Sequence, residues 1–247
     1  MSNNWSKIAV ASGVAAATAC LFYYIFKGDD EEGDEFESYK HGYDSSTNKV
    51  DQMSRSAVLD LLNKISASQD ATKNLMLSLI DDLLNDKCKD TLLDVYERAL
   101  PLIPADPLET LGMTIFDLDH IVERYQHDPL VRESIIKIMN IPDSQDDNVN
   151  ISVEEILDVH EFMFTQLEAL VKTYKNLPNK ESLDKKCITV TLQSIVSAKV
   201  EKKFGYNTAS IDKAVLKNHE ELSMNTQFAR LTMQMQSEMS EITGIYT

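Results

Sequence analysis

The chain has 247 residues and a mass of 27.9 kDa, enough for one large domain or two small ones with a buried core. Its 7 glycines and 6 prolines exclude collagen-like and glycine-rich disordered chains and argue against a turn-rich barrel or sandwich. The net charge of −16 disfavours a nucleic-acid-binding protein, which needs a basic surface to displace counterions. Three cysteines are typical of a reducing compartment, although one bridge between Cys88 and Cys187 stays open.

The clearest single feature is an apolar segment near the N-terminus. Ile8 to Phe26 is 19 residues long without a charged side chain and is bracketed by two lysines. An α-helix of this length spans about 28 Å, close to the hydrocarbon thickness of a bilayer. Aromatic rings favour the headgroup regions of a membrane. They stand here at both ends of the segment: Trp5, Phe22, Tyr23, Tyr24 and Phe26. The sequence therefore predicts an N-terminal membrane anchor over residues 1–27.

Three alternatives to a retained anchor stay open. A cleaved signal peptide would use the small residues Ala17-Thr18-Ala19, but would leave an unusually apolar mature end. A bacterial lipoprotein would use Cys20, although polar residues normally follow such a cysteine. The third alternative is a buried core helix. If the segment is an anchor, Ala9, Gly13 and Ala17 share one helix face, and their small side chains allow a second helix to approach closely. An alanine-rich segment also produces this spacing by chance.

Residues 28–50 are predicted to form an acidic flexible linker. Eight acids and two lysines give this stretch a net charge of −6 (2 − 8), and its few apolar residues favour a solvated, extended chain. A run of like charges is usually a spacer. The alternative is an acidic segment that binds basic segments of other molecules at the membrane surface.

The orientation of the anchor is not decided, because each flank carries one lysine. The sequon at Asn4 lies too close to the membrane for easy use. In the sequon Asn150-Ile151-Ser152, the serine is a predicted helix cap. Together with the unpaired cysteines, this favours a cytosol-facing domain on the outer mitochondrial membrane or the endoplasmic reticulum.

From residue 51 onward, apolar residues recur at helical spacing. The positions in the first half are Val58, Leu61, Leu62, Ile65, Leu75, Leu79, Leu83, Leu84, Leu92, Leu93, Tyr96 and Leu100. Pro101, Pro104 and Pro107 then forbid continuation of a helix. Thr114 is a predicted cap for a helix to about residue 126. Asp128-Pro129 predicts a further helix to about residue 140, because proline fits the first helical position and aspartate accepts free amides.

The polar stretch 141–150 is the best candidate for an internal boundary. Ser152 and Glu155 form a predicted capping box at the start of a helix to about residue 176. Its inward face is Ile156, Val159, Met163, Leu167, Leu170 and Tyr174. Residues 182–204 are predicted to be helical with Gly205 as C-cap, although the β-branched run 188–191 leaves a strand open. A short helix over 210–222 and a last one to Thr243, closed by Gly244, complete an all-α domain over 51–247 with about eight helices.

The last helix carries the one candidate binding surface of the sequence. It places Met224, Phe228, Leu231, Met235 and Met239 on one face, and methionine surfaces are adaptable in partner binding. We call these five residues the methionine face. Ordinary core packing explains the same pattern.

No catalytic or metal-binding pattern in the sequence favours a site, and the sequence predicts neither an enzyme nor a cofactor. Glycine-rich phosphate loops, G-x-S-x-G and H-E-x-x-H are absent. His120, Glu123 and His127 share a predicted helix face that could hold a metal, but solvent-exposed polar residues explain it as well. His160 is interpreted as a satisfied, partly buried imidazole. Cys88 lies between two lysines that could lower its pKa, but spacing identifies no partner histidine.

Residues 114–139 resemble a HEAT or armadillo-type helical repeat. Asp128-Pro129-Leu130-Val131-Arg132, followed by Ile135, Ile136 and Ile138, is similar to the second helix of such a repeat. Leu118, Ile121 and Val122 would supply the first helix. The resemblance covers about a tenth of the chain, does not recur at a fixed period, and implies protein binding on a concave face. Tyr96, Ala99, Leu100, Leu102 and Pro104 also resemble half of a tetratricopeptide repeat, from which Pro101 departs.

These features together predict a single-pass anchored protein with an all-α body, either an irregular bundle or a short solenoid. It would bind other proteins as a tether or adaptor at an organelle membrane. Two alternatives are a structural subunit of a larger membrane complex, of respiratory or translocation type, and a metal- or lipid-dependent helical enzyme.

Overall fold

The computed structural model describes residues 53–138 and 150–243. The predicted anchor, the acidic linker, residues 141–149 of the predicted boundary segment 141–150, and Gly244 lie outside these residues. Within the two ranges, no helix has the length and the apolar character needed to cross a membrane.

Every regular element in the two described ranges is helical, which confirms the all-α class. The α-helices are α1 (Arg55–Leu84), α2 (Leu92–Ala99), α3 (Pro107–Leu111), α4 (Ile115–Arg124), α5 (Pro129–Ile138), α6 (Val153–Lys175), α7 (Lys185–Phe204), α8 (Thr208–Lys217), α9 (His219–Ser223) and α10 (Thr226–Thr243). Two 3-10 turns occupy Leu100–Leu102 and Lys180–Ser182.

The described ranges hold two helices more than the eight predicted. Pro107 begins a short helix, capped by the Asp106 carboxylate, where the sequence analysis expected only a break. Proline is well placed in a first helical turn, because its missing N–H would have no partner there. The predicted helix 210–222 is divided at Asn218, so that α8 and α9 replace it.

The predicted helix starts are confirmed at the level of individual hydrogen bonds. Thr114 with Asp117 and Ser152 with Glu155 form complete capping boxes at α4 and α6. The Asp128 carboxylate accepts hydrogen bonds from the amides of Leu130 and Val131, at 3.0 and 3.3 Å, at the start of α5. These side chains satisfy amides that have no partner inside their own helices.

The described residues fall into two compact units, and the chain passes through each of them twice. The first unit comprises residues 74–103 and 150–243, and the second comprises 53–73 and 104–138. Helix α1 contributes its C-terminal part to the first unit and its N-terminal part to the second.

The core of the first unit is built around α7. This helix is buried on every side and packs against α2, α6 and α10. A helix buried all round has buried side chains in all directions, and residues 188–191 are all buried within the helix, so the alternative of a strand was wrong. Gly205 ends α7 with a φ of +76°, a backbone conformation that favours glycine.

The second unit has a smaller set of buried apolar side chains, drawn from four helices. They are Val58, Leu61, Leu62 and Ile65 of α1, Leu108 of α3, Ile121 of α4, and Val131 and Ile135 of α5. The Tyr125 hydroxyl donates a hydrogen bond to the Met53 carbonyl at 2.8 Å, and the Arg55 guanidinium pairs with the Asp128 carboxylate. These two contacts hold the first described residues of the chain beside the start of α5.

Candidate functional site

The methionine face does not form one exposed surface. Phe228, Leu231 and Met239 are buried, and Met235 is partly buried against the core of the first unit. The most extensive inter-helix packing in this unit joins α10 to α6, which explains why these side chains face inward. Met224 alone among the five is largely exposed, at 86%.

Large apolar side chains are exposed instead along α2 and the 3-10 turn that follows it. Leu93, Leu100 and Leu102 are between 39% and 60% exposed. Leu93 and Leu100 are seven residues apart in a continuous helical segment, so they lie two turns apart on one face. We call these three residues the leucine ridge. Leu102 follows Leu100 by two residues, so it adds exposed apolar surface at the end of this segment but not on the same face.

The opposite side of α2 explains why the leucine ridge faces outward. Leu92, Val95, Tyr96 and Ala99 are buried and fix the rotation of the helix. The Tyr96 hydroxyl oxygen accepts a hydrogen bond from the Asp184 amide at 2.9 Å, at the start of α7. Leu93 and Leu100 are both among the periodic apolar positions of the sequence. Since Leu92 and Leu93 are adjacent and cannot share a helix face, the sequence already contained a signal that one of them points outward.

A second surface feature lies on α5 in the other unit. An open cavity of about 320 Å³ is lined by His127, Pro129, Arg132, Glu133 and Ile136. The last four residues follow the spacing i, i+3, i+4 and i+7 along one helix face. Ile136 is 54% exposed, so this face presents apolar surface beside a cation and a carboxylate.

His160 is buried in the first unit and is only 2% exposed to solvent. Its Nδ1 lies 2.7 Å from the Ile156 carbonyl oxygen, and its ring packs edge-on against Phe228 with centroids 4.9 Å apart. Burial lowers the pKa of the imidazole, because the charged form loses its hydration. The interpretation of a satisfied histidine is therefore confirmed, with more complete burial than the sequence analysis expected.

The helix face that His120, Glu123 and His127 were expected to share does not form. Helix α4 ends at Arg124, so His127 lies in the turn before α5 instead of on the same helix as His120 and Glu123. The Asp128 amide donates to the Tyr125 carbonyl at 2.8 Å and closes this turn. Among the described residues, no group of three or more histidine, cysteine, aspartate or glutamate side chains could hold a metal ion.

The two described cysteines are free thiols, so no bridge joins them. Burial raises the pKa of Cys88, contrary to the expectation that its lysine neighbours would lower it. One of those lysines, Lys87, pairs with Asp81 at 2.9 Å instead. Burial raises the pKa of Cys187 to about 12, and its thiol donates to the Tyr96 carbonyl at 3.6 Å. Both environments disfavour a thiolate nucleophile.

The segment that resembles a helical repeat has the expected two helices, α4 and α5. Ile121, Val131 and Ile135 are buried, whereas Ile136 is exposed. Compared with protein-family models, curated proteins and solved structures, the chain gives no match.

Proposed function

We propose that this chain is a single-pass membrane-anchored helical protein that binds another protein and acts as a tether or adaptor, without catalysis. The anchor is the apolar segment 8–26, and the acidic linker 28–50 is its spacer. The all-α body, a bundle or a short solenoid, faces the cytosol at the outer mitochondrial membrane or the endoplasmic reticulum. We propose the leucine ridge as the partner-binding surface.

The exposure of the leucine ridge is the observation that carries this proposal. Apolar area loses its contact with water when a partner covers it, and full burial of an exposed leucine contributes about 1.5–3 kcal/mol. These leucines are between 39% and 60% exposed, so each would contribute roughly half of that. The ridge is also rigidly held, because the buried side of α2 is packed and hydrogen-bonded to the start of α7. A preorganised surface loses less entropy on binding than a mobile one.

The test is quantitative co-purification of the full-length chain from native membranes. Leu100→Glu and Leu102→Glu together are expected to reduce at least one stoichiometric partner by tenfold or more, a loss of about 1.4 kcal/mol. Met233→Glu, at an exposed position of α10, is the matched control and is expected to retain that partner. An identical set of co-purified proteins from both variants would refute the leucine ridge as the binding surface.

A structural subunit of a larger membrane complex is the second candidate. It is favoured by Ala9, Gly13 and Ala17, whose spacing places small residues on one face of the anchor. Gly13→Leu would then release the protein from its complex on a native gel, whereas a tether would remain bound to its partner through the body. Unchanged co-migration of Gly13→Leu would argue against this candidate.

A further inference from the structure

Two phenylalanine rings form a corner on the first unit, where α6 packs against the end of α7. The rings of Phe162 and Phe204 meet edge to face, with centroids 5.6 Å apart and an interplanar angle of 74°. Both side chains are partly buried against the core of this unit, so the core holds the two rings in position. We call this pair of rings the aromatic corner.

A cation already occupies the aromatic corner. The Lys203 ammonium nitrogen lies 4.0 Å from the centroid of Phe162 and 4.9 Å from the centroid of Phe204. Both distances are within the range of about 6 Å over which a ring face attracts a cation. Lys203 is exposed and makes no ion pair within the part of the chain that the structure describes. The geometry therefore shows that the corner accommodates an ammonium group without help from a carboxylate.

Another cation can replace Lys203 at this site. A single cation–π contact at an exposed position is weak, and the long flexible stem of a lysine lets its ammonium group return to water. The two rings keep their positions when the ammonium leaves, because they pack against the core of the unit. The vacated corner would then be a preorganised site, which lowers the entropy lost on binding.

The surface beside the aromatic corner is acidic, and this charge defines the class of cation. The stretch Val153–Glu161 of α6 carries four acidic residues and no lysine or arginine. Asp158 lies one helical turn from Phe162 on the same face, and Glu161 precedes Phe162 in sequence. Both carboxylates are exposed and make no ion pair with another described residue. They attract a basic protein segment, whereas they repel the phosphate that accompanies the choline cation of a phospholipid.

We propose that the aromatic corner binds a lysine or arginine side chain from a basic segment of a partner protein, and that Lys203 occupies the corner until this partner displaces it. In an extended segment, side chains two residues apart lie on one side of the chain, about 7 Å from each other. A second cation at that spacing reaches Asp158, which lies about 6 Å along α6 from Phe162. This inference goes beyond the proposed function and concerns a different surface from the leucine ridge.

The experiment follows Lys203 by nuclear magnetic resonance. The lysines of the purified full-length chain, in dodecyl maltoside micelles, are dimethylated with 13C-formaldehyde, a modification that keeps their charge. A methyl group above an aromatic ring resonates upfield of one in water. We expect one upfield methyl resonance that is absent from Lys203→Gln. We expect the peptide acetyl-Lys-Gly-Lys-amide to move this resonance to the position of a free lysine. The same peptide with both lysines acetylated, and phosphocholine, are expected to leave it in place.

Variants test which contacts recognise the peptide. Phe162→Leu keeps an apolar side chain but removes the ring, so the upfield shift of the Lys203 resonance is expected to disappear. Asp158→Asn is expected to weaken the affinity of the peptide about threefold, a factor within the range of one exposed ion pair. Glu168→Gln is the matched control, since it removes the same charge from an exposed position on a different face of α6 and is expected to leave the affinity unchanged.

Three results would overturn the proposal. The first is a Lys203 resonance without an upfield shift, and the second is a shifted resonance that stays in place in a large excess of the peptide. The third is displacement by the acetylated peptide or by phosphocholine that equals or exceeds displacement by the lysine peptide. None of these results depends on whether the leucine ridge binds a partner, since the sample contains the purified chain and a defined probe alone.

Discussion

The Tyr96 hydroxyl and the Asp184 backbone amide join the start of α7 to α2 across 88 positions of sequence, with 2.9 Å between oxygen and nitrogen. Asp184 in turn caps α7, because its carboxylate accepts a hydrogen bond from the Cys187 amide at 2.6 Å. One tyrosine thus fixes the start of the most buried helix and the helix that presents the leucine ridge.

Loss of this hydroxyl is expected to destabilise the first unit. Tyr96→Phe removes the acceptor of a part-buried amide, which costs about 1 kcal/mol of unfolding free energy. Urea denaturation of the full chain measures this cost. Tyr174→Phe is the matched control, since its hydroxyl lies 3.4 Å from the Lys180 carbonyl and is expected to contribute less. Equal losses for the two variants would contradict the assigned role of Tyr96.

Acid is expected to destabilise the protein through His160. Because burial lowers its folded pKa, the unfolded chain binds more protons than the folded protein at any pH between the folded pKa and the unfolded value of about 6.5. Stability from this group is therefore complete above about pH 6.5 and is lost as the pH falls below it, by up to about 1.4 kcal/mol per pH unit.

His160→Gln is expected to flatten this part of the stability profile, measured by urea denaturation between pH 5 and 8. Gln cannot titrate, so the variant removes the proton uptake while keeping a polar side chain. His127→Gln, at an exposed imidazole, is the control and is expected to keep the wild-type profile. A profile that stays steep in His160→Gln would show that another group controls the acid sensitivity.

Replacing Gln193 by methionine is expected to raise stability. Gln193 is 8% exposed, and its Nε2 has no hydrogen-bond partner within the described ranges. A buried donor without a partner costs about 1–3 kcal/mol, so an apolar side chain of similar length should recover about 1 kcal/mol. Calorimetric melting of Gln193→Met measures the gain. Ser194→Ala is the control, because that hydroxyl already donates to the Val190 carbonyl at 2.8 Å and its loss should bring no gain. A lower melting temperature for Gln193→Met would show that Nε2 is satisfied in solution.

The methionine face is expected to divide into core and surface positions. Phe228→Ala removes a buried ring that packs on His160 and should cost about 3–5 kcal/mol. Met224→Ala should change stability by less than about 0.5 kcal/mol, because that side chain is exposed. Denaturant midpoints of the two variants distinguish these roles. A neutral Phe228→Ala would show that α10 does not pack on α6 as described.

Local signals in the sequence predicted the helix starts well. Thr114, Asp128 and Ser152 were all identified as caps, because a cap satisfies amides within three residues and needs no tertiary contact. Gly205 was identified as a C-cap for the same reason, since a residue in the left-handed backbone conformation ends a helix without any tertiary contact. The methionine face was harder to interpret, because a periodic apolar face has the same pattern whether its own core or a partner covers it. Only the packing of α10 against α6 distinguishes the two.

Long-range contacts also decided the features that the sequence analysis missed. The outward rotation of the leucine ridge depends on Tyr96 and Asp184, which are far apart in sequence. The position of His127 depends on the residue at which α4 ends. The helix was predicted to reach about residue 126 but ends at Arg124, so His127 lies in a turn and not on a helix face.

The most direct measurement of the central claim is the location and protease sensitivity of a fluorescent tag at the C-terminus of the full chain. We expect a signal on the outer mitochondrial membrane or the endoplasmic reticulum that is lost when protease is added to permeabilised cells with intact organelles. A tag protected from protease inside an organelle, or a soluble secreted signal, would contradict a cytosol-facing tether.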